Sequence, residues 1–310
     1  MEPHMPDMQQ TGAKTIEDFG EQWTAFPENT GYYASYALFL DFLSGLIDVS
    51  ELVGRRVADI GSGTGRIVGM LLQAGAGHVT GVEPSAAVDV LRRRFSDQRE
   101  RVTCLRITGD QLPADQPFDL IFSFGVLHHI PDPAPTIRAA YAALKPGGKI
   151  VIWLYGREGN RLYLAFALPL RRLAHHLPHA ALTGLSWMLW APLRVYTALC
   201  RALPLPMHRY LRQVYARLRA ADQMLVIYDQ LNPAYAKYYN RQEAVDCLAG
   251  GGFVNIRLAN RHGYGWTVVG QKPGDPAGAA PAVDPPARSR RGGHDRSCEG
   301  GSADKEGRPG

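Results

Sequence analysis

Short apolar segments alternate with amphipathic ones through the first half of the chain. The apolar segments predict strands over residues 56–59, 78–82, 102–107, 118–123 and 149–153. The amphipathic segments between them predict helices over about 65–74, 86–95 and 133–144. Strands separated by helices of this length form parallel βαβ units with right-handed crossovers. The pattern therefore predicts an α/β fold with a Rossmann-like, mostly parallel sheet.

Three further segments precede, interrupt or follow these strands and helices. Residues 1–50 are rich in aromatic side chains and carry a helical pattern from about 15 to 46, which predicts an N-terminal helical cap. Residues 157–220 mix apolar residues with arginine and predict a helical insert. Residues 273–310 hold almost no large apolar side chain, so we expect a disordered tail that cannot offset the entropy of ordering.

After the insert the strand and helix pattern resumes. It predicts a helix over 241–249 and an antiparallel strand pair over 253–258 and 266–271, joined by a glycine-containing turn. The sheet domain is thus predicted to combine residues 51–156 with residues 221–272. We expect seven strands in all, with an antiparallel final strand, and the helical insertion placed before the last helix and strand pair.

The positive charge of the chain is concentrated in the insert. The net charge is +5, but residues 157–220 contain ten arginines, no lysine and one acid, so this segment carries +9 and leaves −4 for the rest. Because the basic residues do not spread over the fold, the charge argues against nucleic acid as a partner.

The cysteines and the first residues indicate where the protein resides. The four cysteines lie far apart and form no CxxC pair, which predicts reduced thiols and no structural zinc site. The first seven residues carry two acids and no apolar run, unlike a secretory signal or a transit peptide. We therefore expect a cytoplasmic protein.

A glycine-rich loop, Asp59-Ile-Gly-Ser-Gly-Thr-Gly65, follows the first predicted strand and opens the first predicted helix. Glycine lets the backbone turn sharply and pass close to a ligand, and N–H groups at the start of a helix can face that ligand. The dinucleotide fingerprint GxGxxG would require a third glycine at position 66, which is Arg66. The loop therefore predicts a nucleotide-type ligand and disfavours a nicotinamide dinucleotide.

Polar residues follow the later strands in a matching order. Glu83 ends the second strand about 20 residues after the loop, where a carboxylate can accept both hydroxyls of a ribose. Gly109-Asp110-Gln111 follows the third strand. Residues 118–132 contain the fourth strand and end in His-His-Ile-Pro-Asp, and residues 144–149 form the turn before the fifth strand.

These five features, in this order over residues 57–153, resemble the class I S-adenosylmethionine-dependent methyltransferases, including the small-molecule enzymes of quinone biosynthesis. The resemblance implies S-adenosyl-L-methionine as the cofactor. It implies that Asp59 holds the methionine ammonium, often through water, and that Asp110 accepts from the adenine amino group. The cofactor contacts that it implies come from Asp59, Gly61, Ser62, Gly63, Gly65, Glu83, Pro84, Asp110, Gln111 and Ser123.

Methyl transfer from a sulfonium requires the protein to bind the cofactor, aim the methyl group at a nucleophile and exclude water, and it requires no metal. A hydroxyl or carbon-acid acceptor benefits from a general base. His128 and His129 lie just past the fourth strand, at the edge of the sheet where such folds bind ligands, and are the candidate catalytic residues. The alternative is that at least one of them packs or caps the following helix.

The N-terminal cap carries a further resemblance. The segment Phe19-Gly-Glu-Gln-Trp23 is similar to an FGxxW segment of some of these enzymes, in which N-terminal helices cover the bound ligand. The resemblance implies a lid.

Three interpretations of the insert remain open. It is a helical lid over the acceptor, a set of interfacial helices beside anionic lipid, or a dimerisation surface. Its longest stretch free of charged residues, 173–193, holds three histidines and Pro178, so a membrane span is not predicted.

The sequence as a whole predicts methyl transfer to oxygen of a small or amphipathic acceptor, which is quinone-like, a sugar or lipid-linked. The alternatives are C-methylation of a quinone-like acceptor, a NAD-dependent oxidoreductase on a similar fold, and a cofactor-binding protein without catalysis.

Overall fold

The computed structural model describes residues 8–274, and seven strands in this range form one sheet in the order β3-β2-β1-β4-β5-β7-β6. The strands are β1 (Arg56–Ile60), β2 (His78–Val82), β3 (Val102–Leu105), β4 (Phe118–Phe124), β5 (Leu144–Tyr155), β6 (Val254–Arg261) and β7 (Gly265–Gln271). β1 to β5 pair in parallel, and β7 lies antiparallel between β5 and β6. The predicted seven-stranded, mostly parallel sheet with an antiparallel final strand is confirmed.

Ten α-helices occur within residues 8–274. They are α1 (Met8–Ala25), α2 (Tyr36–Leu43), α3 (Arg66–Gln73), α4 (Ala87–Arg94), α5 (Ala134–Ala143), α6 (Arg161–Ala174), α7 (His179–Leu199), α8 (His208–Gln213), α9 (Ala220–Leu231) and α10 (Arg241–Ala249). The helical pattern predicted from 15 to 46 is two helices, because Ser35 ends the intervening turn and caps α2 by accepting the N–H of Leu38.

Apolar side chains cover both faces of the sheet, as expected for buried parallel strands. Successive strand residues alternate between two buried clusters: Phe122 and Val151 belong to one, and Ile121 and Ile150 belong to the other. Since neighbouring strand residues point to opposite faces, the clusters lie on opposite sides of the sheet. The loops that follow β1 to β5 consequently meet at one edge, where the candidate site lies.

The insert is built from α6 to α9. α9 packs against α6 and α7, and the buried side chains of this group include Ala174, Leu182, Met224 and Tyr228. Although the sequence places residues from 221 onward in the sheet domain, α9 shares its core with the insert. The domain boundaries themselves stay a prediction.

Two observations bear on the segments outside the sheet. None of the helices between residues 8 and 274 is long and apolar enough to cross a bilayer. The tail predicted over residues 273–310 lies, except for its first two residues, outside the described residues.

A capping box starts α10 and generates the first prediction. The side-chain oxygen of Asn240 accepts the N–H of Glu243, whose carboxylate accepts the N–H of Asn240, both at 2.8 Å. We expect Asn240→Ala to cost about 1 kcal/mol of unfolding free energy, which lowers the thermal midpoint by roughly 2–4 °C in calorimetry. Gln242→Ala, on the exposed face of the same helix, serves as control, and equal midpoints for the two variants would contradict the capping role.

Candidate functional site

A cavity of about 390 Å³ lies at the carboxyl edge of the sheet. Its walls come from the loops after β1, β2, β3 and β4, from the end of β5, from α1, and from α8 and α9 of the insert. The lining residues fall into two groups, one from the loops after β2 and β3 and the other formed by aromatic residues with α9. We call these the cofactor end and the acceptor end.

The glycine-rich loop provides room at the cofactor end. Gly61 and Gly63 have φ of 77° and 51°, a region that side chains rarely adopt. A Cβ atom on Gly61 would lie 2.3 Å from the side chain of Val126, and one on Gly63 would lie 3.3 Å from the ring of Trp23. Larger residues at these positions would therefore displace the cavity wall.

The backbone N–H groups of the loop are mostly engaged within the protein. Gly61 and Ser62 both donate to the carbonyl of Val82, at 2.8 and 3.0 Å. Gly63 donates to the carboxylate of Glu83, and Gly65 donates to the carbonyl of Ser62. The loop thus offers a ligand space and shape rather than these four donors.

Glu83 joins the loop to the end of β2. Its two carboxylate oxygens accept the N–H groups of Gly63 at 2.8 Å and Ser85 at 3.0 Å, and the residue is only 5% exposed. Each oxygen retains a further lone pair, and the residue lines the cavity. This arrangement fits the hydroxyls of a ribose.

Asp59 is a buried acid without a full set of partners. Its Oδ2 atom has no hydrogen-bond partner among residues 8–274. Burial raises its pKa to about 7, while the Ser62 hydroxyl and Arg66 favour the charged form. Asp59 stands behind the wall formed by Ile60 and Gly61, so an ammonium contact mediated by water suits its position. An ammonium group would satisfy the unpaired oxygen of this carboxylate.

The turn after β3 closes the cofactor end. Thr108, Gly109 and Asp110 line the cavity, and the side chain of Asp110 is exposed there. The side-chain oxygen of Gln111 instead accepts the N–H of Thr108 at 3.3 Å and completes a capping box. Gln111 therefore shapes the turn from outside the cavity.

The structure places seven of the twelve predicted site residues in the cavity wall. These are Gly61, Ser62, Gly63, Glu83, Pro84, Asp110 and His129. The remaining five lie behind it: Asp59, Gly65, Gln111, Ser123 and His128. Ser123 is fully buried and its hydroxyl donates to the carbonyl of Ile60, so it supports the wall.

The two adjacent histidines differ in their surroundings. His129 lines the cavity, and its Nδ1 lies 2.8 Å from the carbonyl of Tyr235, which places the proton on Nδ1 and a lone pair on Nε2. Burial lowers the pKa of His129 to about 3, so the ring is neutral. His128 is fully buried, stacks on Tyr155 with ring centroids 3.8 Å apart, and makes no well-formed side-chain hydrogen bond within residues 8–274. Burial also holds its pKa well below the usual value.

Asp229 of α9 is a site residue that the sequence did not reveal. It lines the acceptor end, and its carboxylate accepts the hydroxyl of Tyr155 at 3.1 Å and the side-chain amide of Gln22 at 3.0 Å. Burial raises its pKa. The available signal was weak: one acid among apolar residues in the second half of α9, the last helix of the insert.

Aromatic rings and two arginines complete the acceptor end. Tyr210 and Tyr264 stack with centroids 4.4 Å apart. Arg261 lies over the ring of Phe42 and forms an ion pair with Asp41 behind the wall. Other lining residues at this end are Trp153, Tyr155, Leu225 and Arg66.

Helix α1 forms part of the cavity wall. Phe19 and Trp23 of the FGxxW segment both line it, and Phe19 packs edge-on against His129 with centroids 4.7 Å apart. This placement is what a lid requires.

Comparison with known families gives one matching model. Residues 58–150, from β1 into β5, match the family model described as a methyltransferase domain. The matched range contains the loop after β1, Glu83, Asp110 and both histidines.

Curated relatives resemble the same part of the chain. A ubiquinone biosynthesis O-methyltransferase of Pseudomonas aeruginosa is 36% identical over 110 residues, which are 34% of this chain and 47% of the relative. One from Alkalilimnicola ehrlichii is 34% identical over 144 residues, 46% of this chain and 57% of the relative. A tRNA U34 carboxymethyltransferase of Klebsiella pneumoniae is 31% identical over 147 residues, 43% of each chain. The chain thus spans about half the length of the curated relatives it matches.

Among solved structures, the fold is similar to that of the 1,6-didemethyltoxoflavin-N1-methyltransferase of Burkholderia thailandensis. The TM-score is 0.50 at 15% identity, and the match covers 88% of this chain and 93% of that one. The family model, the curated relatives and the geometry of the cofactor end agree. Residues 58–150 of this chain therefore form a methyltransferase domain.

Proposed function

We propose that the protein transfers a methyl group from S-adenosylmethionine to an oxygen of a small or amphipathic acceptor, with a quinone-like phenol as the favoured class. The observation that carries this proposal is a single cavity in which the cofactor loop and Glu83 line one end, and aromatic rings with Asp229 line the other. The names of the curated relatives, two of them O-methyltransferases of ubiquinone biosynthesis, support the quinone-like acceptor.

At the cofactor end, the residues present fit the cofactor. Glu83 offers acceptors to the ribose, Asp110 to the adenine amino group, and Asp59 a negative charge to the ammonium. When bound, the cofactor supplies a methyl group activated on a sulfonium. Cavity walls of Phe19, Trp23 and the loop residues exclude water from the bound ligand.

At the acceptor end, Asp229 is the residue best suited to take a proton from an acceptor hydroxyl. A general base works best when its pKa lies near the working pH. Burial moves the pKa of Asp229 upward, toward that range, whereas it lowers the pKa of His129 to about 3. Tyr155 donates to one Asp229 oxygen and fixes the orientation of the carboxylate.

The two histidines support Asp229 rather than act as the general base. His129 presents a neutral ring to the cavity and can accept a hydrogen bond from the acceptor through Nε2. His128 acts as a positioning residue, because its ring stacks on Tyr155 and so supports the group that orients Asp229.

We further propose that the insert rests on an anionic lipid surface. Large exposed apolar side chains concentrate on α6, α7 and the turns that follow them: Leu162, Phe166, Leu173, Leu177, Trp187, Met188, Val195, Leu199 and Leu203. Seven exposed arginines of the insert form no ion pair with an acid of residues 8–274: Arg161, Arg172, Arg194, Arg201, Arg209, Arg212 and Arg217. Apolar side chains beside unpaired cations are typical of interfacial helices.

Cofactor binding is tested by calorimetric titration with S-adenosylhomocysteine and, separately, with NAD. We expect affinity for S-adenosylhomocysteine alone. Below pH 7 Asp59 is largely protonated and must lose its proton to meet the ammonium, so affinity should rise about twentyfold between pH 5.5 and 7.5 and then level off. Asp59→Asn should bind more weakly at pH 7.5 and lose this pH dependence.

Two results would count against cofactor binding as described. Binding of NAD in place of S-adenosylhomocysteine would favour the oxidoreductase alternative. A pH profile that Asp59→Asn leaves unchanged would remove Asp59 from the site.

The general base is tested with Asp229→Asn, assayed by transfer of labelled methyl groups to a catechol acceptor. We expect kcat to fall about 10²- to 10⁴-fold while affinity for S-adenosylhomocysteine stays within about twofold. The control is Asp222→Asn on the same helix, since Asp222 pairs with Arg219 away from the cavity. If His129→Gln lowers kcat more than Asp229→Asn does, the base is His129.

Membrane contact is tested by sedimentation with phosphatidylglycerol vesicles at low salt. The wild-type protein should bind them and should bind phosphatidylcholine vesicles weakly. Each arginine near such a surface contributes about 1 kcal/mol, so Arg161→Glu/Arg172→Glu should weaken binding by at least about thirtyfold. Arg93→Glu/Arg99→Glu, two exposed arginines outside the insert, should bind as the wild type does. Absence of binding to anionic vesicles would leave the insert as a lid or a dimer surface.

A further inference from the structure

A second cavity, of about 530 Å³, lies within the helical insert beside the acceptor end. We call it the insert chamber. Four side chains line both the chamber and the first cavity: Tyr210, Val226, Gln230 and Tyr264. These four residues form the partition between the acceptor end and the chamber.

The chamber is apolar. Leucine, isoleucine, methionine and aromatic side chains from α6 to α9 form its walls, and no charged side chain is among the described residues that line it. Two of its tyrosine hydroxyls are already bonded, Tyr163 to Gln230 at 2.8 Å and Tyr196 to the carbonyl of Pro206 at 3.0 Å. The hydroxyl of Tyr215 is buried without a partner in residues 8–274. Apart from that hydroxyl, the apolar lining favours hydrocarbon over polar groups.

The chamber also reaches the surface of the insert. Leu162 and Phe166 line it and are 63% and 78% exposed. Both lie on α6, among the exposed apolar side chains described above. The chamber therefore extends from the partition to the exposed side chains of α6.

An apolar space of this size lacks the dispersion contacts that close packing provides, so filling it with hydrocarbon is favourable. Pockets that bind small molecules span roughly 300–1,000 Å³, and the chamber falls in that range. Gln230 links the chamber wall to Tyr155 and, through it, to Asp229 at the acceptor end. The methyl acceptor is therefore the molecule best placed to supply the hydrocarbon. Gln230 donates to the hydroxyl of Tyr155 at 2.6 Å and accepts from Tyr163 of the chamber wall.

We propose that the insert chamber binds an aliphatic chain carried by the methyl acceptor, so that the acceptor is a hydroxyl compound with a long hydrocarbon tail. This inference rests on the proposed function, because the head of the same molecule must face Asp229. Each CH₂ group that enters the chamber should strengthen binding by up to about fourfold.

The experiment measures binding to the full chain, with S-adenosylhomocysteine present and without detergent. One probe series is the 4-n-alkylcatechols from ethyl to decyl, and the other is the 1-alkanols of matching length, which lack the catechol head. In the wild-type protein, affinity should rise with chain length in both series and then level off as the chamber fills.

Two matched variants on α6 locate the effect. Ala167 lines the chamber, whereas Ala165 is exposed and lines neither cavity. We expect Ala167→Trp to abolish the dependence on chain length while ethylcatechol and S-adenosylhomocysteine bind as before. Ala165→Trp should keep the dependence. If Ala167→Trp fails to fold, Leu193→Trp in the chamber wall and Leu199→Trp on the exposed face of α7 replace the pair.

The outcomes separate the tail site from the proposed function. Affinity that does not change with chain length in either series overturns the tail site. A dependence of affinity on chain length that Ala167→Trp leaves intact overturns it as well. If another part of this chain or a second copy occupies the chamber, affinity will not change with chain length. Dependence with alkanols but no binding of any catechol supports the tail site and counts against the quinone-like head. Methyl transfer to ethylcatechol without any dependence on chain length upholds the function and removes the tail.

Discussion

The carboxylate of Glu83 is the point on which the cofactor end depends. It is almost entirely buried, a position that a charged group occupies at acceptable cost only when hydrogen bonds replace water. Gly63 and Ser85 provide two such bonds, and they tie the glycine-rich loop after β1 to the end of β2. The loop is held from that side, and both its glycines and the same carboxylate line the cavity.

Burial controls the rest of the electrostatics. It raises the pKa of Asp59 to about 7 and also raises that of Asp229, and it lowers the pKa values of both histidines. Burial thus shifts the protonation equilibrium of all four groups toward the neutral form. Each acid, however, lies where the proposed ligands bring a partner: an ammonium near Asp59 and an acidic hydroxyl near Asp229. The same desolvation that destabilises these carboxylates thus makes them selective for positively charged or proton-donating ligands.

The insert contributes to the acceptor end, to the apolar chamber and to the exposed basic surface. One face of α9 contributes Asp229 to the acceptor end, and its other residues share a core with α6 and α7. The outer surface of those helices carries the exposed apolar side chains and the unpaired arginines. A single packed unit therefore borders the acceptor, encloses an apolar chamber and presents a cationic surface. An amphipathic acceptor is the kind of substrate that would use all three.

The sequence by itself determined where β1 to β5 lie along the chain, and it located the glycine-rich loop and the acid at the end of β2, because these depend on local patterns: apolar runs, glycine spacing and the position of each strand end. It also predicted the antiparallel final strands. Only the tertiary structure decided that His128 stands behind the cavity and His129 in its wall, since neighbours in a turn can face opposite ways. It alone revealed Asp229, which enters the site from a helix more than 70 residues beyond Tyr155, its hydrogen-bond partner. Such contacts arise from packing between distant segments, and no periodicity in the chain encodes them.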